Sequence, residues 1–145
     1  MKLSSALKKA NEISDRIKSV NGIIATPLHN YEAVKVKRVW LFGSAAKGKL
    51  NPNDVDILIE MKEVCRRDIS YLDPKKSVNF FINKDFKRRY GLSFAKQSSD
   101  TALKWIRNKK HNISLHWTDI DGVQPDVKIL IYPRNDLAQH LSNLI

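Results

Sequence analysis

Apolar residues recur at helical spacing over the first twenty positions. Leu3, Ala6, Leu7, Ala10, Ile13 and Ile17 share one face, and Lys8, Lys9, Asp15, Arg16 and Lys18 lie off it. This predicts an amphipathic helix from Leu3 to about Val20, stopped by Asn21-Gly22. Ile23 to Glu32, with Pro27 and mixed polarity, reads as a connection. Val36 to Phe42 then reads as a buried strand running into Gly43-Ser44. Beyond that turn Val55, Ile57 and Ile59 alternate with Asp54, Asp56, Leu58 and Glu60, the period of a strand with one face in a core. Val64 to Phe94 is the least patterned region, with a short strand around Ser77 to Ile82 and a basic stretch after it. Ser98, Ser99 and Asp100 can cap a helix carrying Ala102, Leu103 and Ile106 to about Lys110. Ile113 to Trp117 reads as a short strand. Val127, Ile129 and Ile131 alternate with Asp126, Lys128, Leu130 and Tyr132 in another, begun after Pro125 and closed by Pro133. Asn135 or Asp136 can cap a last helix with Leu137, Leu141 and Leu144 on one side.

No internal repeat, low-complexity tract or linker divides the chain. The element order predicts an α/β (α+β) fold, a mixed β-sheet flanked by helices, as one domain over residues 1–145. That length suffices for a real core, since about two-thirds of the unfolded surface is buried at this size.

Charge changes the picture more than composition does. Against 15 acidic residues stand 26 Lys and Arg, a net +11, which points to a polyanionic partner: nucleic acid, nucleotide phosphates or an anionic surface. The longest apolar runs fall far below the roughly 18 residues of a membrane span. Met1 to Glu12 interrupts its apolar positions with Lys8, Lys9 and Asn11, unlike a secretory signal, so the expected location is cytoplasmic, with no membrane partner. The single Cys65 has no second cysteine for a disulfide or a zinc site and reads as structural.

Asp54 and Asp56 carry the densest chemistry. Positions i and i+2 of a strand point to one face about 7 Å apart, so the two carboxylates share a side while Val55 and Ile57 enter the core. Solvent can screen their repulsion, or a divalent cation between them can turn it into coordination. Mg²⁺ suits the second case, because it needs only one or two carboxylates and completes its shell with water and phosphate oxygens. Two ions about 4 Å apart could then activate an attacking hydroxyl and stabilise a leaving pyrophosphate, given a third carboxylate on the attacking side. Ahead of the pair, Gly43 permits close backbone approach, Ser44 offers a hydroxyl and an N–H at the start of a short helix, and Lys47 and Lys49 add positive charge. These make a phosphate cradle.

The stretch from Leu41 to Glu60, LFGSAAKGKLNPNDVDILIE, resembles the signature of the nucleotidyltransferase superfamily that includes DNA polymerase beta, in its minimal form. It has a Gly-Ser turn, a nine-residue spacer, and two acids set among apolar residues. The resemblance implies Gly43, Ser44 and Lys47 at the triphosphate of an NTP such as ATP. It also implies Asp54 and Asp56 as ligands shared by two Mg²⁺ ions, with Mn²⁺ as a substitute. The superfamily's third acid lies on a later strand; Asp126, at the head of an alternating strand, suits it best, with Asp119 and Asp121 as rivals. Lys47 stands where many minimal members carry Arg, and Asn53 where they carry Ser; neither change touches a metal ligand.

The expected activity is transfer of a nucleoside monophosphate from an NTP to an acceptor hydroxyl, the charge favouring a nucleic-acid acceptor. Two alternatives stand beside it: modification of a toxin-like partner protein, and a fold that binds nucleic acid without catalysis. Between Lys84 and Lys96 the cations Lys84, Lys87, Arg88 and Arg89 interleave with Phe86, Tyr90 and Phe94, either a nucleic-acid track or a helix with a solvated basic face. The histidines, His29, His111, His116 and His140, lack metal-ligand spacing. Trp40, Trp105 and Trp117 read as core or partly buried residues rather than stacking platforms.

Overall fold

The N-terminal stripe folds as its spacing predicts, into α1 (Leu3–Ser19), with Ala6, Leu7, Ala10, Ile13 and Ile17 buried. The helix ends in a Schellman motif: Asn21 N–H donates to Lys18 O and Gly22 N–H to Ile17 O, both at 3.0 Å, with Asn21 and Gly22 at φ of 55° and 74°. Arg16 and Lys18 in the last turn complement its dipole.

The computed structural model describes residues 1–25, 32–65, 78–79, 98–118 and 122–139. After α1 come β1 (Ile23–Ala25), β2 (Glu32–Phe42), α2 (Gly43–Ala46), β3 (Val55–Cys65), β4 (Val78–Asn79), α3 (Ser98–Arg107), β5 (Ile113–Trp117) and β6 (Lys128–Tyr132). Residues 137–139 are helical, and Asn135 Oδ1 accepts from Leu137 N–H at 3.0 Å, the cap expected there. The expected connection from Ile23 to Glu32 is corrected at its start, where Ile23–Ala25 pairs antiparallel with Ala33–Lys35 of β2. The expected basic track at Lys84, Lys87, Arg88 and Arg89, and the rival acids Asp119 and Asp121, lie outside the described residues.

The strands form one mixed sheet in the order β4-β1-β2-β3-β5, with β6 also on β2. β3 lines one edge of β2 from Glu32 to Phe42. The other edge is shared by β1 at Ala33–Lys35 and β6 at Val39–Phe42. β5 runs parallel to β3, the geometry a crossover helix permits, and α3 supplies that helix.

One face of the sheet carries the core. Val39, Leu41, Val55, Ile57, Ile59, Met61, Ile113, Ile129 and Ile131 are buried there with the apolar side of α1 and with Ala102, Trp105 and Ile106 of α3. Ser14 on α1 donates its buried hydroxyl to Ile131 O, tying the helix to β6. Arg16 bridges the two helices, its Nε donating to Trp105 O at 2.7 Å and its guanidinium lying 4.1 Å from the Trp105 ring centre. Among the described residues no helix is long and apolar enough to cross a membrane.

The other face is set by a bulge. β2 and β3 shift register between Val36 and Arg38, so Val36 enters the core while Arg38, Trp40 and Phe42 turn to the opposite side. Their β3 partners there are Glu60, Leu58 and Asp56.

Candidate active site

β2 ends at Phe42, where Gly43 turns the chain into α2 at φ 73°. That positive φ favours glycine, and the space demands it as well: a Cβ on Gly43 would collide with the Asp56 carboxylate, lying only 3.1 Å from its Cγ. The turn is therefore packed directly on Asp56. Lys47 N–H closes the short helix on Gly43 O at 3.2 Å, and Lys49 N–H reaches Ser44 O at 3.0 Å. Gly43 and Asp56 thus meet at one end of the sheet, with Ser44 and Lys47 on the turn that follows Gly43.

Asp56 lies in β3, half-buried, and Asp54 stands exposed just before the strand. Burial pushes the Asp56 carboxyl above its ordinary value; nearby His116 opposes that shift and Asp54 adds to it by repulsion. Asp54 thus makes ionisation of Asp56 harder, a penalty that a cation would reverse. As hard oxygen donors, two carboxylates fit an ion that fills the rest of its shell with water and phosphate. Among the described residues, no group of three His, Cys, Asp or Glu side chains is gathered as a metal site.

Asp126 lies elsewhere on the same end. It precedes β6 on the far side of β2 from Asp56, is 79% exposed, and ion-pairs with Lys47 at 3.6 Å. Lys47, with help from the adjacent backbone, holds its carboxyl below the usual range. On the near side, parallel pairing sets Ser114 of β5 beside Asp56 and His116 beside Leu58, with the His116 ring edge-on to Phe42 at 5.3 Å between centres. His116 had no assigned chemistry from spacing. Alternation within β5 signalled only that it leaves the face of Ile113 and Leu115.

A groove of about 390 Å³ between α1 and α3, lined by Glu12, Asp15, Arg16, Arg107 and Lys110, opens on the helical face, away from this site.

A family model described as nucleotidyltransferase domain matches residues 29–137, most of the chain. The chain belongs to the nucleotidyltransferase domain family. Searches of curated proteins and of solved structures returned no match. Membership accounts for the mixed sheet with helices and agrees with the resemblance to the minimal, polymerase-beta-like members. Nucleotidyl transfer from an NTP is the general chemistry of this family, whose members typically use divalent metals. Within the nucleotidyltransferase domain, the matched segment includes Gly43, Ser44, Lys47, Asp54, Asp56 and Asp126.

Proposed function

We propose that this nucleotidyltransferase moves a nucleoside monophosphate from an NTP to an acceptor hydroxyl and releases pyrophosphate, using Mg²⁺ held by Asp54 and Asp56. The carrying observation is the packing of the Gly43 turn against Asp56, whose ionisation burial and the neighbouring Asp54 oppose. In this reading the glycine turn brings phosphate-binding groups up to the carboxylates with no side chain between them. When bound, the metal supplies positive charge to the reacting phosphate.

The chain's own groups divide the remaining work. Ser44 and Lys47 orient the triphosphate. The acceptor oxygen bonds to the α-phosphorus as the bond to the α,β-bridging oxygen breaks, and pyrophosphate leaves. Asp126 receives the hydroxyl proton. Its ion pair with Lys47 gives this role a trigger, because incoming phosphates compete for the lysine and release the carboxylate. The +11 charge supports a nucleic-acid acceptor.

One observation favours a second reading, a fold that binds nucleic acid without catalysis: the β5 partner of Asp56 is Ser114, followed on the same side by His116, and not a carboxylate. Labelling decides between the two. Purified protein is incubated with each α-³²P-labelled NTP, Mg²⁺ or Mn²⁺, and cellular RNA, DNA and protein, beside the Asp54→Ala/Asp56→Ala variant. Transfer predicts label on one class of macromolecule and none with the variant. Absence of label under every condition, with nucleic-acid binding indifferent to Mg²⁺, overturns it in favour of the second reading.

A further inference from the structure

The sheet face opposite the core carries a second pair of like charges. Lys35 of β2 and Lys62 of β3 are direct cross-strand partners, both exposed, and among the described residues neither has an acidic partner. Like charges placed opposite each other destabilise a strand pair. An anion between them removes that repulsion, just as a cation does for Asp54 and Asp56.

The two pairs lie on one line. Strict alternation puts Asp56, Leu58, Glu60 and Lys62 on the same face of β3, and at strand rise Lys62 stands roughly 20 Å from Asp56. Their β2 partners along that line are Phe42, Trp40, Arg38 and Lys35. Between them, nearer Asp56, sits Trp40, partly exposed, with the Lys128 ammonium 4.3 Å and the Arg38 guanidinium 5.7 Å from its ring centre. Arg38 is engaged with Glu60 at 2.6 Å, but Lys128 makes no ion pair among the described residues.

We propose that this face is a track for single-stranded nucleic acid, with phosphates at Lys35, Lys62 and Lys128, an unpaired base on Trp40, and the acceptor end at Asp56. Cations spaced along a strand with an aromatic ring between them are what an unpaired polynucleotide requires. Lys128 covers the Trp40 ring by an exposed cation–π contact, weaker than base stacking; an arriving base displaces it toward the neighbouring phosphate. The track lies on β2, β3 and β6, and Trp40 acquires a role beyond packing. The proposal rests on nucleotidyl transfer only for which end of the strand reacts.

The test is fluorescence anisotropy of a labelled single-stranded oligoadenylate with the full chain and no NTP, run as a salt series. Trp40→Ala is expected to weaken binding about tenfold while Trp40→Phe, which keeps a ring, holds most of it. Loss of two phosphate contacts in Lys35→Gln/Lys62→Gln is expected to reduce the slope of log affinity against log salt by about 1.4. A duplex of the same length hides its base faces, so its binding should not respond to Trp40→Ala. Circular dichroism melts confirm that the variants fold. Unchanged oligonucleotide affinity in Trp40→Ala, or an unchanged salt slope in the lysine variant, overturns the track. So does wild-type label transfer confined to a protein acceptor without oligonucleotide binding, which would make this face a protein-docking surface. Binding that depends on Trp40 and the lysines, in a chain that transfers no label, supports the track while removing the catalytic reading.

Discussion

Replacing Gly43 with alanine tests whether the turn and the Asp pair form one unit. The substitution asks a residue with a Cβ to hold φ 73°, and sets that Cβ 3.1 Å from Asp56 Cγ and closer still to a carboxylate oxygen. The left-handed backbone costs an L-residue roughly 1–2 kcal/mol. Turning the Asp56 carboxylate off its rotamer to relieve the collision adds roughly 0.5–1.5 kcal/mol. Together they come to about 2–3 kcal/mol, or about 6–9 °C in thermal midpoint for a domain of this size. The backbone part remains whatever occupies position 56, but alanine there removes the carboxylate and leaves only its Cβ, 3.3 Å away. Thermal melts of Gly43→Ala, Asp56→Ala and the double variant therefore form a cycle in which the double variant recovers about 0.5–1.5 kcal/mol relative to additivity. Displacing a reacting group by about 1 Å can cost on the order of 100-fold in rate, so labelled transfer by Gly43→Ala should fall by that much. A Gly43→Ala melt matching wild type, or a cycle with no coupling, would refute the packing on which the site is built.

Three further outcomes follow from the geometry. Since Asp56 sits above its ordinary value of 3.8, between that value and its raised one the native chain holds a proton that the unfolded chain has released. Stability therefore falls as pH rises through this window, and metal-free Asp56→Asn should flatten that part of the melting profile and melt above wild type at neutral pH; a larger decline in the variant would reverse the sign of the argument. Ser14→Ala leaves Ile131 O without its buried donor and should cost about 1–3 kcal/mol in urea unfolding, with an unchanged midpoint counting against that contact. Asp126→Asn, at an exposed ion pair, should leave the thermal midpoint where it is while labelled transfer falls, and equal transfer by the variant would remove Asp126 from the reaction.

Much of the architecture was legible because periodicity is local. α1 and β5 fall within a residue or two of their sequence-predicted bounds, and the turn after Phe42 lies where Gly43 and Ser44 implied it. β1 was missed because Ile23-Ile24-Ala25 is too short to show a period; it is a strand through its pairing with Ala33–Lys35. β2 and β3 run longer than their apolar alternation suggested because each extends the other's ladder toward Lys35 and Lys62. Simple alternation from Val34 and Val36 would also have sent Arg38, Trp40 and Phe42 into the core, and the bulge after Val36 reverses them.

The sequence by itself determined the Asp54–Asp56 pair, its apolar setting and the glycine turn ahead of it, because these depend on spacings of two and about ten residues along one segment. Tertiary structure alone decided that Gly43 packs on Asp56, that Lys47 holds Asp126, and that His116 stands near the pair. It also decided that Lys35 opposes Lys62 on the face that bears Trp40. A strand's period says which residues share its side, but register between strands remote in the chain says which sides become one surface.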